Sequence, residues 1–103
     1  QADPSPGESA RIERFLTALG EREDLVFIRN GSEYGVDSAV SHLRRKLRGA
    51  RERITTAEEF VDHVASVSSS SGRPYLVRRP GGKDEPAGPY FRELLEETDR
   101  ASR

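Results

Sequence analysis

The sequence predicts a mainly helical α+β domain with four helices and one small two-stranded β-sheet. Three observations predict this fold. Apolar residues recur with a helical period in four separate segments, only two short runs are rich in β-branched and aromatic residues, and glycine, proline and serine separate these segments. A chain of 103 residues that is 33% hydrophobic and 34% charged can bury one modest core, so a single domain is expected.

The first helix has a clear start and a clear end. Ser5-Pro6-Gly7-Glu8 provides an N-cap, a proline at the first helical position and a carboxylate three residues after the cap, which together suit a helix start. Gly20 is placed to end the helix in a left-handed conformation. Between them, one helical face carries the apolar residues Ile12, Phe15, Leu16 and Leu19.

Leu25–Ile28 is the first predicted strand, and an Asn30-Gly31 turn follows it. Asn-Gly usually connects the two strands of a hairpin, but the residues after this turn repeat with a helical period. The turn is therefore interpreted as a junction between the strand and a second helix, from about Val36 to Gly49. The apolar face of that helix carries Val36, Ala39, Val40, Leu43 and Leu47.

A third helix is predicted after Thr55-Thr56, because two overlapping capping boxes reach forward to Glu58 and Glu59. It should end in the serine run of residues 68–71. Its buried face is predicted to contain Phe60, Val61, Val64 and Ala65.

Tyr75–Val77 is the second predicted strand, and it should pair with Leu25–Ile28 because a short strand is not stable alone. Residues 80–89 are interpreted as a mobile loop, since they are rich in proline and glycine. A fourth helix is predicted to open at Pro89. The predicted globular domain is residues 8–97, with a flexible N-terminal segment at 1–7 and a flexible C-terminal tail at 98–103.

Composition favours an exported protein with no strong electrostatic partner. The formal net charge is −1, which argues against attraction of the whole protein to nucleic acid, and there is no Cys for thiol or haem chemistry. No apolar stretch approaches the ~20 residues that span a bilayer. There is no Met, and the polar segment from Gln1 resembles the start of a mature exported protein, so removal of a leader peptide and a periplasmic location are expected.

Polar side chains gather at the two junctions that flank the predicted strands, and we expect a ligand-binding site there. If the two strands pair antiparallel, Arg29 and Asn30 of the first junction and Arg73 of the second lie near the same end of the sheet. His42 and Lys46 lie four apart on the second helix, so an imidazole and an ammonium share a face suited to an anion. The tentative ligand-binding residues are Arg29, Asn30, His42, Lys46, Ser71, Arg73 and Tyr75.

No catalytic residue, metal ligand or cofactor is predicted. Ser38 and His42 lie four residues apart and Asp37 is adjacent to Ser38, which superficially resembles a catalytic triad. However, Asp37 points about 100° away from Ser38 around the helix, and the sequence lacks the Gly-x-Ser-x-Gly motif that surrounds a nucleophilic serine. Glu59 and His63 share a helical face without a second histidine, which makes a poor metal site. The basic residues of 44–53 lack interleaved aromatic residues, so they are interpreted as a solvated face.

Several motifs resemble the YfeK-like family of small exported bacterial proteins. They are Phe27-Ile28-Arg29-Asn30-Gly31 with Tyr34, then Ala39, His42-Leu43 and Lys46, then Thr56-Ala57-Glu58-Glu59-Phe60, and finally Ser68, Ser71-Gly72 and Pro74-Tyr75. The resemblance covers roughly residues 8–95. It implies a leader peptide and a periplasmic or cell-envelope location, and because that family is of unknown function it implies no activity.

The sequence therefore favours a non-enzymatic binding or accessory protein of the periplasm or cell envelope. Its expected partner is a small anionic ligand or an envelope protein, with no nucleic acid and no transmembrane segment. The alternative is a small periplasmic hydrolase or transferase, in which His42 acts as base and a serine of residues 68–71 as nucleophile once folding has brought them together.

Overall fold

The computed structural model describes residues 3–103, in which helices pack against one face of a four-stranded antiparallel sheet. The long helices are α1 (Pro6–Gly20), α2 (Val36–Ala50) and α4 (Ala87–Ala101). A 3₁₀ turn (Arg51–Arg53), the short helix α3 (Ala57–Glu59) and a π-helical segment (Phe60–Ala65) lie between α2 and α4. The strands are β1 (Val26–Arg29), β2 (Ser32–Tyr34), β3 (Leu76–Arg78) and β4 (Asp84–Pro86).

The predicted pairing of the two apolar strands is confirmed. β1 and β3 are antiparallel neighbours at the centre of the sheet, with Phe27 opposite Val77, in the strand order β2-β1-β3-β4. Because side chains alternate between faces, Phe27 and Val77 both point toward the helices and are buried. The predicted fold class is therefore correct in its main features.

The prediction of a two-stranded sheet is wrong, because each central strand forms a hairpin with a short polar partner. Asn30 and Gly31 have φ values of 52° and 82°, the left-handed conformations of a tight hairpin turn, and β2 follows directly. On the other side, residues 80–89 contain β4, which pairs with β3. Neither added strand has the apolar alternation by which strands are recognised in a sequence.

The third helix begins as predicted but continues with a different geometry. Thr56 and Glu59 form the reciprocal hydrogen bonds of a capping box. The chain then widens into π-helix, whose i→i+5 bonds place the buried pairs Phe60–Val61 and Val64–Ala65 on the same side. Sequence periodicity predicted an α-helix here, because the two helix types share most of their apolar spacings.

The fourth helix is longer than predicted at both ends. α4 begins at Ala87 and extends to Ala101, into the segment assigned to the polar tail. Of the predicted flexible segment 1–7, residues 1 and 2 lie outside the described residues, and α1 already begins at Pro6 with the predicted Ser5 cap. Within residues 3–103, none of the helices combines the length and apolarity that a bilayer span requires.

The core is built around four aromatic rings that join the helices to the sheet. Phe15 of α1 meets the edges of Phe60 and Phe91 at ring-centre distances of 6.4 and 5.4 Å. Phe91 also stacks on Phe27 of β1 at 6.3 Å. All four rings are buried, so aromatic contacts join the sheet to the helices within a core that is otherwise mostly aliphatic.

A single cation, Arg11, links three helices through ion pairs. Its guanidinium donates to Glu8 of α1 at 2.9 Å, to Glu58 of α3 at 2.6 Å and to Asp99 of α4 at 2.7 Å. Only 20% of the Arg11 side chain is exposed. Hydrogen bonding to Arg11 lowers the pKa of Glu58, so the carboxylate form stabilises the fold.

We expect Arg11→Gln to lower the free energy of unfolding by about 2 kcal/mol, because three carboxylates would lose a partly buried charged donor. The measurement is urea unfolding followed by circular dichroism. Arg44→Gln is the matched control, since Arg44 bonds one exposed carboxylate, Glu13, and an exposed pair contributes less than about 1 kcal/mol. Equal losses in the two variants would contradict the linking role of Arg11.

Candidate functional site

Four side chains from distant parts of the chain meet beside the sheet, and we call them the basic cluster: Arg29, His42, Lys46 and Tyr75. Arg29 Nη1 lies 3.0 Å from His42 Nδ1 and 3.2 Å from His42 Nε2. His42 Nε2 lies 3.0 Å from the Tyr75 hydroxyl. Lys46 Nζ donates to the same hydroxyl at 3.1 Å and also to the carbonyl of Val67. The phenol of Tyr75 is thus the common partner of an imidazole and an ammonium.

Local structure explains why these residues converge. Arg29 lies two residues after Phe27 in β1, so it points toward the helices as Phe27 does. His42 and Lys46 are four residues apart and share a face of α2. Tyr75 precedes β3 and is fixed by a 2.9 Å hydrogen bond from its amide to the Ser66 carbonyl. Sheet register and helical spacing together therefore determine the cluster.

The hydrogen-bond roles within the cluster follow from donor chemistry. An arginine N–H can only donate, so the contact needs an unprotonated ring nitrogen, and we assign Nδ1 of His42 as the acceptor because it lies 3.0 Å from Arg29 Nη1 whereas Nε2 lies 3.2 Å away. In this assignment the neutral imidazole carries its proton on Nε2 and donates it to the Tyr75 oxygen. That oxygen accepts from both His42 and Lys46, which leaves the phenolic proton available to another acceptor.

Burial and the neighbouring charges depress the proton affinities of the cluster. Burial, then the positive charges of Arg29, Lys46 and Arg45, lowers the pKa of His42 to about 4. Burial, then Arg29, lowers the pKa of Lys46 to about 8. Burial raises the pKa of Tyr75, although Arg29 acts against it. At neutral pH His42 is uncharged, while Arg29 and most Lys46 side chains remain positive.

The basic cluster lacks the carboxylate that every comparable cation in the described chain has. The other partly buried arginines, each with a carboxylate oxygen between 2.6 and 3.9 Å away, are Arg11, Arg14, Arg22, Arg44, Arg78 and Arg92. Among residues 3–103, Arg29 and Lys46 are the two partly buried cations that no carboxylate pairs. The cluster therefore holds positive charge that the protein itself does not neutralise.

A cleft of about 380 Å³ opens next to the cluster, and we call it the basic cleft. Arg29 and His42 line it together with Tyr34 of β2, whose ring centre lies 5.2 Å from the Arg29 guanidinium carbon. Phe27 and Ala39 contribute apolar surface. The remaining lining residues, all from α2, are Asp37, Ser38, Ser41 and Arg45.

The structure separates the predicted site residues into two groups. Arg29, His42, Lys46 and Tyr75 form the basic cluster, whereas Asn30, Ser71 and Arg73 line a different cavity of about 340 Å³. Ile28 and Leu76, from the sheet face opposite the helices, also line that second cavity. The two junctions do lie close together, as expected, but they do not make one pocket.

Sequence reasoning missed part of the cleft. The sequence pattern places Arg45 on a solvated basic face. It gives no sign of β2, so Tyr34 is not among the predicted ligand-binding residues. One available signal was helical spacing, since Ser38, Ser41, His42 and Arg45 follow an i, i+3, i+4, i+7 pattern that places them on one face of α2. That polar stripe at the edge of an apolar face marks the wall of the cleft.

The serine run does not reach the imidazole. Ser68 Oγ lies 3.2 Å from Ser70 Oγ and accepts from the Ser71 amide, so these hydroxyls bond within their own turn. In the described residues no hydrogen bond joins His42 to a serine of 68–71. Residues 3–103 also contain no group of His, Asp and Glu side chains arranged to hold a metal ion.

Comparison with known proteins gives a family and no activity. The profile of a family described as "Family of unknown function (DUF5329)" matches residues 6–99. An uncharacterized protein, YfeK, from Salmonella typhimurium strain LT2 is 51% identical over 74 residues. That alignment covers 72% of this chain and 62% of the Salmonella protein, so the chain spans less than two thirds of the relative's length. No solved structure matches the chain.

We expect the stability of the protein to rise with pH between about 4 and 6.5 through His42. The pKa of His42 is about 4 in the folded protein and about 6.5 when unfolded, so in this range the unfolded chain binds the extra proton. The stabilisation is complete above the unfolded pKa and is lost as pH falls toward 4. Urea unfolding at several pH values measures it.

His42→Gln should reduce this pH dependence, because glutamine can replace the hydrogen bonds without titrating. His63→Gln is the control, since His63 is an exposed residue of the π-helical segment and lies outside the cluster. If His42→Gln and His63→Gln change the pH dependence equally, His42 is not the source of the effect.

Proposed function

We propose that this chain, which belongs to the DUF5329 family of unknown function, is a non-enzymatic binding protein that holds a small anion in the basic cleft. One observation carries the proposal: Arg29 and Lys46 are partly buried cations without a carboxylate, whereas the other partly buried arginines of residues 3–103 are all paired. Uncompensated charge in a cleft is unfavourable for folding alone, and an anionic ligand would compensate it.

Arg29 is the proposed primary contact of the ligand. A guanidinium has five N–H donors, and Arg29 uses them here on His42 and, at 3.5 Å, on the Tyr34 hydroxyl. The remaining donors can bind a carboxylate or phosphate in the bidentate geometry that arginine favours. Arg45 at the rim of the cleft, and the hydroxyls of Ser38 and Ser41, would supply further contacts.

Lys46 and Tyr75 are proposed to support the site without contacting the anion. Neither lines the basic cleft, and Tyr75 is only 2% exposed. Lys46 is held by the Val67 carbonyl and the phenol, so its charge is fixed close to the imidazole without being neutralised. A fixed charge beside a cleft favours anions without the reorganisation that a flexible surface lysine requires.

The anion can belong to a free small molecule or to a group on an envelope protein, such as a carboxylate at a chain terminus. We also propose that the protein acts in the periplasm or at another exported location, and the support is its resemblance to a family of small exported proteins. Fractionation of cells that produce the full-length natural protein tests this location. Recovery of the protein in the cytoplasmic fraction would refute it.

We expect wild-type protein to bind sulfate or acetate, and Arg29→Gln to weaken that binding roughly ten- to hundredfold, because a charge-assisted contact contributes roughly 1.5–3 kcal/mol. Isothermal titration calorimetry at low salt gives the dissociation constants. Arg48→Gln is the matched control, since Arg48 is an exposed arginine of α2 that does not line the cleft. Equal weakening in both variants would show nonspecific attraction and defeat the proposal.

Asp37→Asn should tighten sulfate binding several-fold. Asp37 is the acidic residue that lines the cleft, and its carboxylate repels an anion held by Arg29. The same titration measures the effect, with Asp24→Asn as control because Asp24 is also exposed but does not line the cleft. Weaker binding by Asp37→Asn would place the anion elsewhere.

A further inference from the structure

We infer that the basic cleft takes up its anion together with a proton, which His42 holds while the anion is bound. The inference rests on the proposed function and concerns the regulation of anion binding by pH. It predicts that the site binds anions more tightly as the surroundings become acidic.

The contact between Arg29 and His42 is the physical basis. In the free protein, Arg29 donates to Nδ1 of a neutral imidazole over 3.0 Å. When His42 is protonated, both ring nitrogens become donors, so Nδ1–H would face an arginine N–H with no acceptor between them. Two positive groups and two donors in contact are unfavourable in both charge and hydrogen bonding.

An oxyanion at this position resolves both conflicts. One oxygen can accept from Arg29 and another from the Nδ1–H of protonated His42, while Nε2–H keeps its bond to the Tyr75 oxygen. The anion therefore stabilises the protonated ring and the protonated ring stabilises the anion. By linkage, each increases the affinity of the other by the same factor.

The groups that face His42 are almost all positive or neutral. β1 contributes Arg29, β2 contributes Tyr34, the segment before β3 contributes Tyr75, and α2 itself contributes Arg45 and Lys46. α1 and the π-helical segment also pack against α2: Glu13 of α1 is bonded by Arg44, Asp62 of the π-helical segment is bonded by Arg92, and His63 is exposed.

Asp37 is the one carboxylate among the residues that line the cleft, and within residues 3–103 it forms no ion pair with Arg29 or His42. It precedes His42 by five residues, which is about 7.5 Å along the helix axis. Burial, then the positive charges of Arg29, Lys46 and Arg45, lowers the pKa of His42 to about 4, and no carboxylate acts against them. An external anion is therefore the partner that allows His42 to become charged.

The test measures sulfate affinity between pH 7.5 and pH 5, because sulfate keeps its charge throughout this range. For the wild type we expect about tenfold tighter binding at pH 5 than at pH 7.5, which corresponds to a rise of about two units in the pKa of His42 when the anion binds, from about 4 in the free protein. Calorimetry in buffers of different ionisation enthalpy should show proton uptake on binding near pH 5. His63→Gln should behave as the wild type.

His42→Gln should lose most of the pH dependence, whatever its affinity at pH 7.5, because glutamine does not titrate; the small remainder comes from Lys46, whose pKa is about 8. A second measurement does not depend on that variant folding: nuclear magnetic resonance titration of the wild-type His42 ring with and without sulfate. We expect sulfate to raise the pKa of His42. An unchanged pKa, or full pH dependence in folded His42→Gln, would overturn the inference.

The two proposals fail in different ways. If the wild type does not bind sulfate at either pH, the anion-binding function itself is refuted. If it binds with equal affinity at pH 5 and pH 7.5 and takes up no proton, the basic cleft is an anion site and the coupling to His42 is refuted.

Discussion

The structure depends on the antiparallel pairing of β1 with β3. This pairing joins segments about fifty residues apart and places Phe27 opposite Val77, with both side chains in the core. The same register carries Arg29, at the end of β1, and Tyr75, the residue just before β3, toward α2. A slip of one residue would turn Phe27 and Arg29 to the solvent face, so the core and the basic cluster are fixed by one constraint.

Charge is distributed unevenly, and this is what distinguishes the cluster from the rest of the surface. Arg11 gathers three carboxylates and Arg78 bonds two, so much of the acidic charge is already engaged in holding helices and strands together. The cluster instead reduces its repulsion by keeping His42 neutral and lowering the pKa of Lys46 to about 8. Positive charge that no carboxylate pairs remains at this position, and the proposed anion-binding role accounts for it.

The sequence was sufficient where apolar pattern and capping chemistry were strong, as in α1, α2 and the two central strands. It failed for β2 and β4, because short polar edge strands are held by turn geometry and cross-strand ion pairs and carry no apolar alternation. For the site, spacing on α2 identified His42 and Lys46, and only the sheet register could show that Arg29 joins them while Asn30 and Arg73 do not. Contacts between distant segments depend on the register, which local pattern does not specify.

The π-helical segment gives the cluster its remaining support. It ends at Ala65, and the chain then forms the bridge between Val67 and Pro74 that leads to Tyr75. Lys46 donates to the carbonyl of Val67 and to the phenol of Tyr75, so both ends of this turn hold the ammonium. A carbonyl and a phenol accept hydrogen bonds without bringing a full negative charge, whereas an aspartate here would bind Lys46 equally well and cancel its field. The fold thus fixes the position of the cation and leaves its charge available to the cleft.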